Sequence, residues 1–577
     1  MPTESLFTPL ANAQSWVTID YEGHQLRVPQ GISIAAALLA SGVRHSRTTP
    51  VQGANRAPFC MMGVCFECLV EVNGVPNRQG CMTLVSDGLR VRRQLGARKL
   101  APLVPKVTAM KTKAVDLLII GAGPAGMSAA VEARNNGLSV LVLDEQPGPG
   151  GQIYRNISNT DAQRSQILGA DYSHGRHLAQ AFLASDVEYV AQASVWQVTD
   201  QNQVHYLHQG QSRVAQGQRL LIATGAYERP MPIPGWTLPG VMTAGAGQIL
   251  LKSAAMVPAG PVVLAGCGPL LYLLAVQYLQ AGISLAALVD TSRHSDVLSG
   301  LRHIPKALKG WPDLQKGLSL LATLRKAKVK HYTGATALRI VGSAQAEALS
   351  FNSGADEYRI ACNLVMLHQG VVPNTQISWS LRLQHHWHND QLCWQAERNA
   401  WGETSTSGIF IAGDGGSIGG AMAAQAQGRI AALAIACQLG RLDSSSRDKL
   451  VKPYRKALHR YMAVRPLIDA LYRPRDENRI PEDNVIVCRC EEVTAGTVRS
   501  HVRLGCLGPN QIKAFSRCGM GPCQGRQCGL TVTEIIAASG NVSASEVGYY
   551  RIRAPLKPIT LKQLAQQPNK NLNQELS

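Results

Sequence analysis

The sequence predicts an α/β protein with two βαβ units and a small cysteine-rich domain near each end of the chain. Three observations lead to this fold class. Two segments about 145 residues apart, 115–145 and 260–290, each read as strand, glycine-rich turn, helix and strand. Cysteines are concentrated within 60–81 and again within 488–528. With 577 residues, the chain is long enough to bury the cores of several such domains.

Composition narrows the class of protein. Fourteen cysteines in 577 residues is a low density for a disulfide scaffold, and the opening "MPTESLFTPLANAQSW" lacks the basic and apolar regions of a secretory signal. We therefore expect a cytoplasmic protein whose clustered thiols bind metal. The net charge of +19 suggests anionic cofactors or an acidic partner, but the basic residues are dispersed and no nucleic-acid-binding motif accompanies them.

The longest uncharged run, 253–289, raises the question of a membrane span. Prolines at 258, 261 and 269 and four glycines interrupt it. A strand, a turn, a helix and a second strand explain the run better, so we expect no transmembrane segment.

The first βαβ unit carries the glycine pattern of a dinucleotide site. In "GAGPAG", Gly121 permits the tight turn, Gly123 lets a pyrophosphate approach the backbone, and Gly126 lets helix and strand pack closely. Asp144 ends the next strand, where its carboxylate can accept hydrogen bonds from ribose hydroxyls. The residues predicted to complete this cradle are Pro124, Ala125, Glu145, Gly151 and Gln152.

Two further segments favour FAD over NAD as the cofactor. "LLIATGAYERP" (220–230) resembles the Ala-Thr-Gly strand end of flavoproteins with two dinucleotide-binding domains, which places Thr224 and Gly225 at the cofactor. "SGIFIAGDGG" (407–416) resembles their second FAD motif. That resemblance implies that Asp414 contacts the ribityl chain and that Gly413 permits its close approach.

The second unit, "GCGPLL", departs from the dinucleotide pattern because Leu271 occupies the third glycine position. A side chain there pushes the helix away from the strand and narrows the space for a pyrophosphate. Asp290 could still hold a ribose, so degenerate NAD binding stays open. We favour a retained scaffold domain.

The N-terminal cysteines Cys60, Cys65, Cys68 and Cys81 have the spacing C-x4-C-x2-C-x12-C, with a hairpin predicted around the Asn-Gly pair at 73–74. This is the arrangement of a plant-type [2Fe–2S] cluster. Zinc, the alternative, usually takes two separated C-x2-C pairs, and this segment has one. Relatives of this type usually have glycine after the second cysteine, where this chain has Phe66.

The C-terminal motifs "VCRCEEVT" and "SRCGMGPCQGRQC" resemble the small [2Fe–2S] domain of bacterioferritin-associated ferredoxin, with a four-thiolate zinc site as the alternative. We expect Cys488, Cys490, Cys523 and Cys528 to bind iron and Cys518 to be a buried spare thiol. The alternative takes Cys518 and Cys523 as the second pair of ligands. The pairs Cys518–Cys523 and Cys523–Cys528 both have C-x4-C spacing, so spacing does not decide between them.

Other candidate groups indicate no catalytic residue. The histidines of "QHHWHND" (384–390) would face opposite sides of a strand, so a surface strand explains them better than a metal site. Cys267 has no partner at C-x2-C or C-x4-C spacing, which excludes the dithiol chemistry of disulfide reductases. No Ser/His/Asp arrangement appears.

These observations divide the chain into several parts, each defined by its motif. They are a β-grasp ferredoxin-like domain (15–105), an FAD-binding domain (114–230 and 370–440), a degenerate NAD-type domain inserted into it (231–369), a helical connector (441–483), a C-terminal [2Fe–2S] domain (484–540) and a tail with a disordered end (541–577).

The segments "ATGAYERPMPIPGWTLPGVMTAGAGQ", "DEQPGPGGQIYR" and "GMGPCQGRQC" resemble the FAD-containing α-type subunit of multi-subunit amino-acid and imino-acid dehydrogenases. That group includes opine oxidase, hydroxyproline and proline dehydrogenases, hydrogen cyanide synthase and, more distantly, sarcosine oxidase. In several of these systems the ferredoxin-like part is a separate subunit, whereas here it is fused to the flavoprotein.

The resemblance implies that a smaller FAD-dependent β-type subunit oxidises a C–N bond and that this chain moves the electrons onward through FAD and two [2Fe–2S] clusters. The acceptor would be a quinone or an electron carrier. The alternative is a self-sufficient NAD(P)H-dependent reductase that feeds a terminal enzyme. A third interpretation, a scaffold without cofactors, is disfavoured by the complete cysteine sets.

Overall fold

The computed structural model describes residues 4–10, 15–97 and 112–565. The end of the predicted N-terminal domain, most of the stretch between it and the predicted FAD-binding domain, and the part of the tail predicted to be disordered lie outside these ranges. Within the described ranges, every helix is too short or too polar to cross a bilayer.

The N-terminal domain is a five-stranded sheet covered by one helix, in agreement with the predicted β-grasp domain. Strand order is β3-β2-β8-β6-β7, with β2 and β8 parallel and the other neighbours antiparallel. Asn73 and Gly74 both have positive φ, so the predicted tight hairpin turn is present. The elements are β1 (Phe7–Pro9), β2 (Trp16–Tyr21), β3 (His24–Pro29), α1 (Ile34–Ala40), β4 (Arg47–Thr48), β5 (Asn55–Arg56), β6 (Leu69–Val72), β7 (Val75–Gln79) and β8 (Arg90–Arg93).

The first βαβ unit begins a mixed sheet in the order β11-β10-β9-β14-β13-β12, whose β9, β10, β11 and β14 run parallel. Strand β10, residues 117–120 of β9 and residues 220–222 of β14 are buried and apolar, as expected for strand segments covered on both faces. The elements are β9 (Lys113–Ile120), α2 (Pro124–Asn135), β10 (Val140–Leu143), α3 (Ala162–Leu168), α4 (Ala170–Ala184), β11 (Glu188–Val190), β12 (Ser194–Val198), β13 (Gln203–His208), β14 (Gln211–Ile222) and β15 (Ala226–Glu228).

The second unit forms a separate parallel sheet in the order β16-β24-β18-β19-β20, with a three-stranded antiparallel sheet, β21-β22-β23, beside it. Strand β1 of the N-terminal segment pairs with β17 of this domain. The elements are β16 (Val241–Thr243), α5 (Ala244–Ala254), β17 (Met256–Pro258), β18 (Val262–Cys267), α6 (Pro269–Gln280), β19 (Leu285–Asp290), α7 (His294–Leu301), α8 (Ile304–Ala307), α9 (Trp311–Lys326), β20 (His331–Tyr332), β21 (Thr336–Val341), β22 (Ala348–Ser353), β23 (Asp356–Ala361), β24 (Leu364–Gln369) and β25 (Val371–Pro373).

The chain then returns to the first domain, where β28 pairs with β14 and α11 packs against α2. Two helices, α12 and α13, form the connector that follows. The elements are α10 (Gln376–Ser380), β26 (His385–His388), β27 (Cys393–Ala396), β28 (Ile409–Ile411), α11 (Ala421–Gln438), α12 (Ser444–Ala463) and α13 (Arg465–Leu471).

The C-terminal module is a β-hairpin and a set of short helices around the second cysteine group. Residues 541–565, assigned to the tail from the sequence, include Tyr549, Tyr550 and Ile552, which are buried in this module. The elements are β29 (Ile486–Cys488), β30 (Val493–Thr494), α14 (Ala495–Arg503), α15 (Pro509–Ser516), α16 (Gly529–Gly540), α17 (Ala544–Val547) and α18 (Leu561–Ala565).

One hydrophobic core runs through the N-terminal domain, both βαβ domains and the C-terminal module. The predicted α/β fold class is therefore confirmed, and its domains pack as parts of one body. This packing brings the two cysteine groups to the FAD-type domain.

Candidate functional site

The glycine-rich turn after β9 has the geometry of a phosphate cradle. Gly121 has φ +106°, and a Cβ there would lie 2.5 Å from the carbonyl oxygen of Ala223. A Cβ on Gly126 would lie 1.9 Å from the carbonyl oxygen of Gly121, so only glycine lets α2 begin this close to the strand. Gly123 caps α2 and lines an open cavity. The N-terminus of α2 thus faces space that suits a pyrophosphate.

Asp144 lies at the end of β10 and is fixed by the backbone. Its two carboxylate oxygens accept hydrogen bonds from the N–H groups of Ala122, at 2.5 Å, and Gln146, at 2.7 Å. Burial raises the pKa of Asp144, although these backbone N–H groups oppose the shift. Each oxygen keeps a further lone pair, so the carboxylate can also accept ribose hydroxyls.

The second FAD motif, at 407–416, lies against the glycine-rich turn at 121–126. Gly413 has φ +74°, and a Cβ there would lie 2.9 Å from the Cβ of Ala125 at the start of α2. Asp414 accepts hydrogen bonds from the N–H groups of Gly419, at 2.9 Å, and Gly420, at 3.0 Å. It therefore orders the loop that leads into α11.

Thr224 and Gly225 extend β14 toward β25. The Thr224 hydroxyl donates to the carbonyl oxygen of Asn374 at 3.2 Å, and the Asn374 N–H donates to the carbonyl oxygen of Gly225 at 3.0 Å. Gly225 has φ +64°, a left-handed conformation that favours glycine. This corner closes one wall of the cavity.

A cavity of about 1350 Å³ passes along all of these segments. Among the thirteen residues predicted to bind the cofactor, only Gly126 does not line it, because Gly126 lies beneath the turn. The predicted residues that line it are Gly121, Gly123, Pro124, Ala125, Asp144, Glu145, Gly151, Gln152, Thr224, Gly225, Gly413 and Asp414. The cradle and the cavity fit a dinucleotide such as FAD.

Sequence reasoning missed residues that reach this cavity from both cysteine-rich domains. Met62, Gly63 and Val64 of the N-terminal cysteine loop line it, and so do Arg526 and Lys557 of the C-terminal module. These contacts join parts of the chain hundreds of residues apart, so no local pattern signals them. Both cysteine loops therefore border the FAD-type cavity.

The four N-terminal cysteines meet as their spacing predicts. Cys60 contacts Cys65 and Cys68 contacts Cys81 through their thiols. Backbone N–H groups also point at the sulfurs, with Met62 N 3.5 Å from Cys60 Sγ and Cys81 N 3.4 Å from Cys68 Sγ. Burial alone would raise the pKa of Cys60, but the Cys65 thiol and the backbone N–H groups lower it to about 7. Four converging thiols with N–H donors fit a [2Fe–2S] cluster.

Phe66 has a positive φ of 61° within this loop. The loop thus requires a left-handed residue after the second cysteine, which explains why glycine is usual there. Phe66 adopts this left-handed backbone conformation with its side chain buried in the core.

The C-terminal cysteines form a group of three beside a pair. The sulfurs of Cys488, Cys518 and Cys528 all lie within 4.8 Å of one another. Cys490 contacts Cys523 through its thiol. All five predicted candidates thus meet, including Cys518, and the choice of four ligands stays a prediction.

Tyr550 packs against the C-terminal cysteine loop. Its hydroxyl donates to Cys518 Sγ at 3.3 Å and lies 3.8 Å from Cys528 Sγ. A Cβ on either Gly519 or Gly525 would lie 2.6 Å from its ring. The two glycines therefore let the loop close around the tyrosine.

A buried ion pair joins the two cysteine loops directly. Arg489, between Cys488 and Cys490, donates through Nε to Glu67 Oε1 at 2.8 Å. Glu67 lies between Cys65 and Cys68, and both charged side chains are at most 2% exposed.

Further contacts fix this pair. Arg489 also donates to the carbonyl oxygen of Trp236 at 2.8 Å, and its guanidinium lies 4.2 Å from the Phe59 ring centroid. Burial alone would raise the pKa of Glu67, but Arg489, Arg47 and Arg56 lower it. Charged residues inside two cysteine motifs were the one sequence signal that could have indicated this contact.

The second βαβ unit departs from a nucleotide site in its local contacts, although Pro269, Leu270 and Tyr272 line the large cavity. Leu271 is fully buried where a third glycine would stand. The Tyr272 hydroxyl donates to Asp290, which also accepts the Ser292 N–H at 2.8 Å. Burial alone would raise the pKa of Asp290, but hydrogen bonds from His331 and Tyr272 lower it. The Tyr272 hydroxyl thus takes a hydrogen-bonding position on the Asp290 carboxylate that a ribose hydroxyl would need.

Glu228 and His368 form a buried pair at the wall of the same cavity, with His368 Nδ1 2.7 Å from Glu228 Oε1. The other Glu228 oxygen accepts the Gly245 N–H at 2.9 Å. Glu228 lies within the motif at 220–230, but the sequence analysis gave it no role, and His368 lies outside every motif identified there.

The three neighbouring histidines lie on β26, as predicted for a strand. The His385 ring stacks on Trp379 with centroids 3.8 Å apart, and its Nε2 lies 2.8 Å from the Ser378 hydroxyl. Burial lowers the pKa of His385 to about 4. These contacts account for His385 without a metal.

Comparison with known families divides the chain as the fold does. Residues 14–96 match the 2Fe-2S iron-sulfur cluster binding domain, and residues 115–428 match the pyridine nucleotide-disulphide oxidoreductase family. Residues 483–567 match the sarcosine oxidase A3 domain, which includes the segment that contains Tyr550.

Individual proteins are similar over most of the chain. An opine oxidase subunit of Agrobacterium tumefaciens is 45% identical over 79% of this chain and 92% of its own length. Hydrogen cyanide synthase subunit HcnB of Pseudomonas protegens is 31% identical over 77% of this chain and 96% of its own length. The crystal structure of L-proline dehydrogenase from P. horikoshii shares the fold, with a TM-score of 0.70 and 19% identity over 96% of this chain and 99% of that chain.

Proposed function

Because the chain belongs to the same family as these opine oxidase subunits, we propose that it is the electron-transferring flavin and iron–sulfur subunit of an amino-acid, imino-acid or opine dehydrogenase complex. It is an oxidoreductase with an FAD-type domain and a [2Fe–2S] domain. The observation that carries the proposal is that both cysteine loops border one FAD-type cavity and contact each other through Arg489 and Glu67.

The cofactors assigned to this chain are FAD, one [2Fe–2S] cluster at Cys60, Cys65, Cys68 and Cys81, and a second at four of the C-terminal cysteines. When bound, the flavin supplies two-electron chemistry and the clusters supply one-electron chemistry. The chain's residues would hold these groups: the first glycine turn would face the pyrophosphate, Asp144 would accept hydrogen bonds from the ribose, and Asp414 orders the loop that would meet the ribityl chain. Arg489 and Glu67 fix the two cysteine loops relative to each other.

The proposal includes a partner, a smaller FAD-dependent β-type subunit that oxidises the C–N bond. The similar opine oxidase and hydrogen cyanide synthase chains are themselves named as subunits, which supports this division of labour. Electrons would leave this chain for a quinone or an electron carrier. We place the complex in the cytoplasm.

The second candidate is a self-sufficient NAD(P)H-dependent reductase, favoured by the second βαβ unit. The Tyr272 contact with Asp290 and the buried Leu271 weigh against nicotinamide binding there. Anaerobic addition of NADH or NADPH to the flavin-loaded chain separates the candidates. We expect the flavin absorbance to persist for minutes, whereas prompt bleaching would favour the reductase.

A further prediction concerns the isolated chain. Without its partner it should not reduce an artificial dye with proline, hydroxyproline, sarcosine or an opine, because the proposed substrate site lies in the β-type subunit. The assay compares the purified chain alone with the chain combined with a candidate small FAD-dependent amine oxidase. Robust turnover by the chain alone would place the active site here and overturn the subunit proposal.

A further inference from the structure

A basic depression of about 360 Å³ lies directly over the C-terminal cysteine loop. It is lined by Met520, Pro522 and Gln524, which flank Cys523 in the loop. Lys513 of α15, Arg551 and Arg553 also line it and give it positive charge. The loop proposed to hold the second cluster is therefore reached from outside through a positively charged surface.

The cations of this surface, to which Arg382 also belongs, lie close enough to influence one another. Burial is the larger cause that lowers the pKa of Arg382, and the charges of Arg551 and Arg553 lower it further. Burial and the charge of Arg553 likewise lower the pKa of Lys513. Within residues 4–10, 15–97 and 112–565, no carboxylate forms an ion pair with any of the four cations of this surface, which are Arg382, Lys513, Arg551 and Arg553. Uncompensated like charges attract a negatively charged partner.

Only a thin layer separates this surface from the cysteine sulfurs. Lys513 Nζ lies 5.6 Å from the Tyr550 ring centroid, and the Tyr550 hydroxyl contacts Cys518 Sγ at 3.3 Å. Met520, which lines the depression and is 37% exposed, adds apolar area beside the charges. Apolar groups ringed by charge are typical of protein interfaces.

The N-terminal cysteine group has no comparable charged surface beside it. Residues 56–70 are buried apart from Val64, which is half-buried and lines the FAD-type cavity. The fourth cysteine of the group, Cys81, is half-buried, and segment 81–84, which reaches the surface there, carries no charged side chain. The cations over the C-terminal loop therefore favour that loop as the contact for an acidic partner.

We propose that the basic depression is the docking surface for an acidic electron-carrier protein, which receives single electrons from the C-terminal cluster. This inference rests on the proposed function. One electron leaves the reduced cluster, whose iron is oxidised, and reduces the carrier's metal centre or flavin. No bond forms or breaks at the surface. Charge attraction increases the encounter rate, and the apolar groups allow close contact.

The test uses the full chain loaded with FAD and iron and reduced anaerobically with dithionite, with the excess removed. Stopped-flow absorbance follows electron transfer to an acidic plant-type ferredoxin and, in parallel, to basic cytochrome c. We expect the rate with the acidic ferredoxin to fall as ionic strength rises from about 0.02 to about 0.3 M, because salt screens the attraction. The rate with cytochrome c should show no such fall.

The variant Arg551→Glu/Arg553→Glu should lower the ferredoxin rate at low salt by at least about tenfold and flatten its salt dependence. The matched control, Lys306→Glu/Lys309→Glu, makes the same charge change on exposed residues of the second βαβ domain and should leave the rate unchanged. Iron content and the spectrum of the reduced clusters, measured on each variant, show that the clusters remain intact.

Three results would overturn the docking surface. The first is equal rates of transfer to the ferredoxin in both double variants, and the second is faster transfer to cytochrome c at low salt. The third is that the full chain binds anionic lipid vesicles through Arg551 and Arg553, so that the Arg551→Glu/Arg553→Glu variant loses vesicle binding but keeps its rate with the ferredoxin. A wild-type chain that holds a single cluster would instead contradict the proposed function. The two failures are therefore distinguishable.

Discussion

Replacing Arg489 by methionine should lower the free energy of unfolding by about 1.5–3 kcal/mol, because the buried Glu67 carboxylate loses the hydrogen bond from its closest cation but keeps Arg47 and Arg56 as charged partners. The substitution also removes the hydrogen bond to Trp236 and the stacking on Phe59. Urea unfolding of the flavin- and iron-loaded chain, followed by circular dichroism, measures the change. We expect one unfolding transition at a lower midpoint, because the buried Arg56–Glu492 pair and the shared core still join the C-terminal module to the N-terminal domain.

The matched control is Arg517→Met in the same module. Arg517 pairs with Glu491 through a side chain that is 66% exposed, so its loss should leave the unfolding midpoint unchanged. The double variant Glu67→Gln/Arg489→Met should be less destabilised than the sum of the two single variants. Strict additivity, or an equal effect of Arg517→Met, would mean that the buried pair does not couple the cysteine loops.

Replacing Cys528 by serine should remove two of about four irons, because each [2Fe–2S] cluster needs four ligands. Cys518→Ser should keep all of them, since Cys518 is assigned as a spare thiol. Iron analysis and electron paramagnetic resonance of the reduced protein measure both changes. Cys437→Ser is the control, because Cys437 lies on α11, outside both cysteine groups.

The geometry makes this comparison informative. Cys518 and Cys528 lie equally within the group that includes Cys488, so either sulfur could complete the set. If Cys518→Ser loses two irons and Cys528→Ser keeps them, the ligands are Cys488, Cys490, Cys518 and Cys523. Loss of iron in neither variant would contradict a cluster at this site.

Local chemistry explains what the sequence could predict. In the turn at 121–126, only glycine fits the backbone conformation and the short distances between neighbouring backbone segments. The glycines in the sequence therefore indicate the structure of the turn. The four N-terminal cysteines and the Asn-Gly hairpin are likewise set by spacing within one short segment. Leu271 correctly indicated that the second unit is altered.

Long-range packing explains what the sequence could not predict. The Arg489–Glu67 pair joins residues 422 positions apart, and the cavity contacts of Met62 and Lys557 depend on how whole domains pack. Tyr550 lies beyond the boundary expected at residue 540, because only the folded loop creates the space between Gly519 and Gly525 that the ring occupies. No periodicity or motif in these segments reports such contacts.

The most direct test of the account is the cofactor content of the full chain after anaerobic purification. Flavin released by denaturation, iron and zinc by mass spectrometry, and acid-labile sulfide are measured against protein concentration. The account predicts about one FAD, about four irons and about four sulfides per chain, with zinc absent, because eight thiolates hold two clusters. Zinc in place of iron at the cysteine groups, or a chain without flavin, would contradict the electron-transfer function.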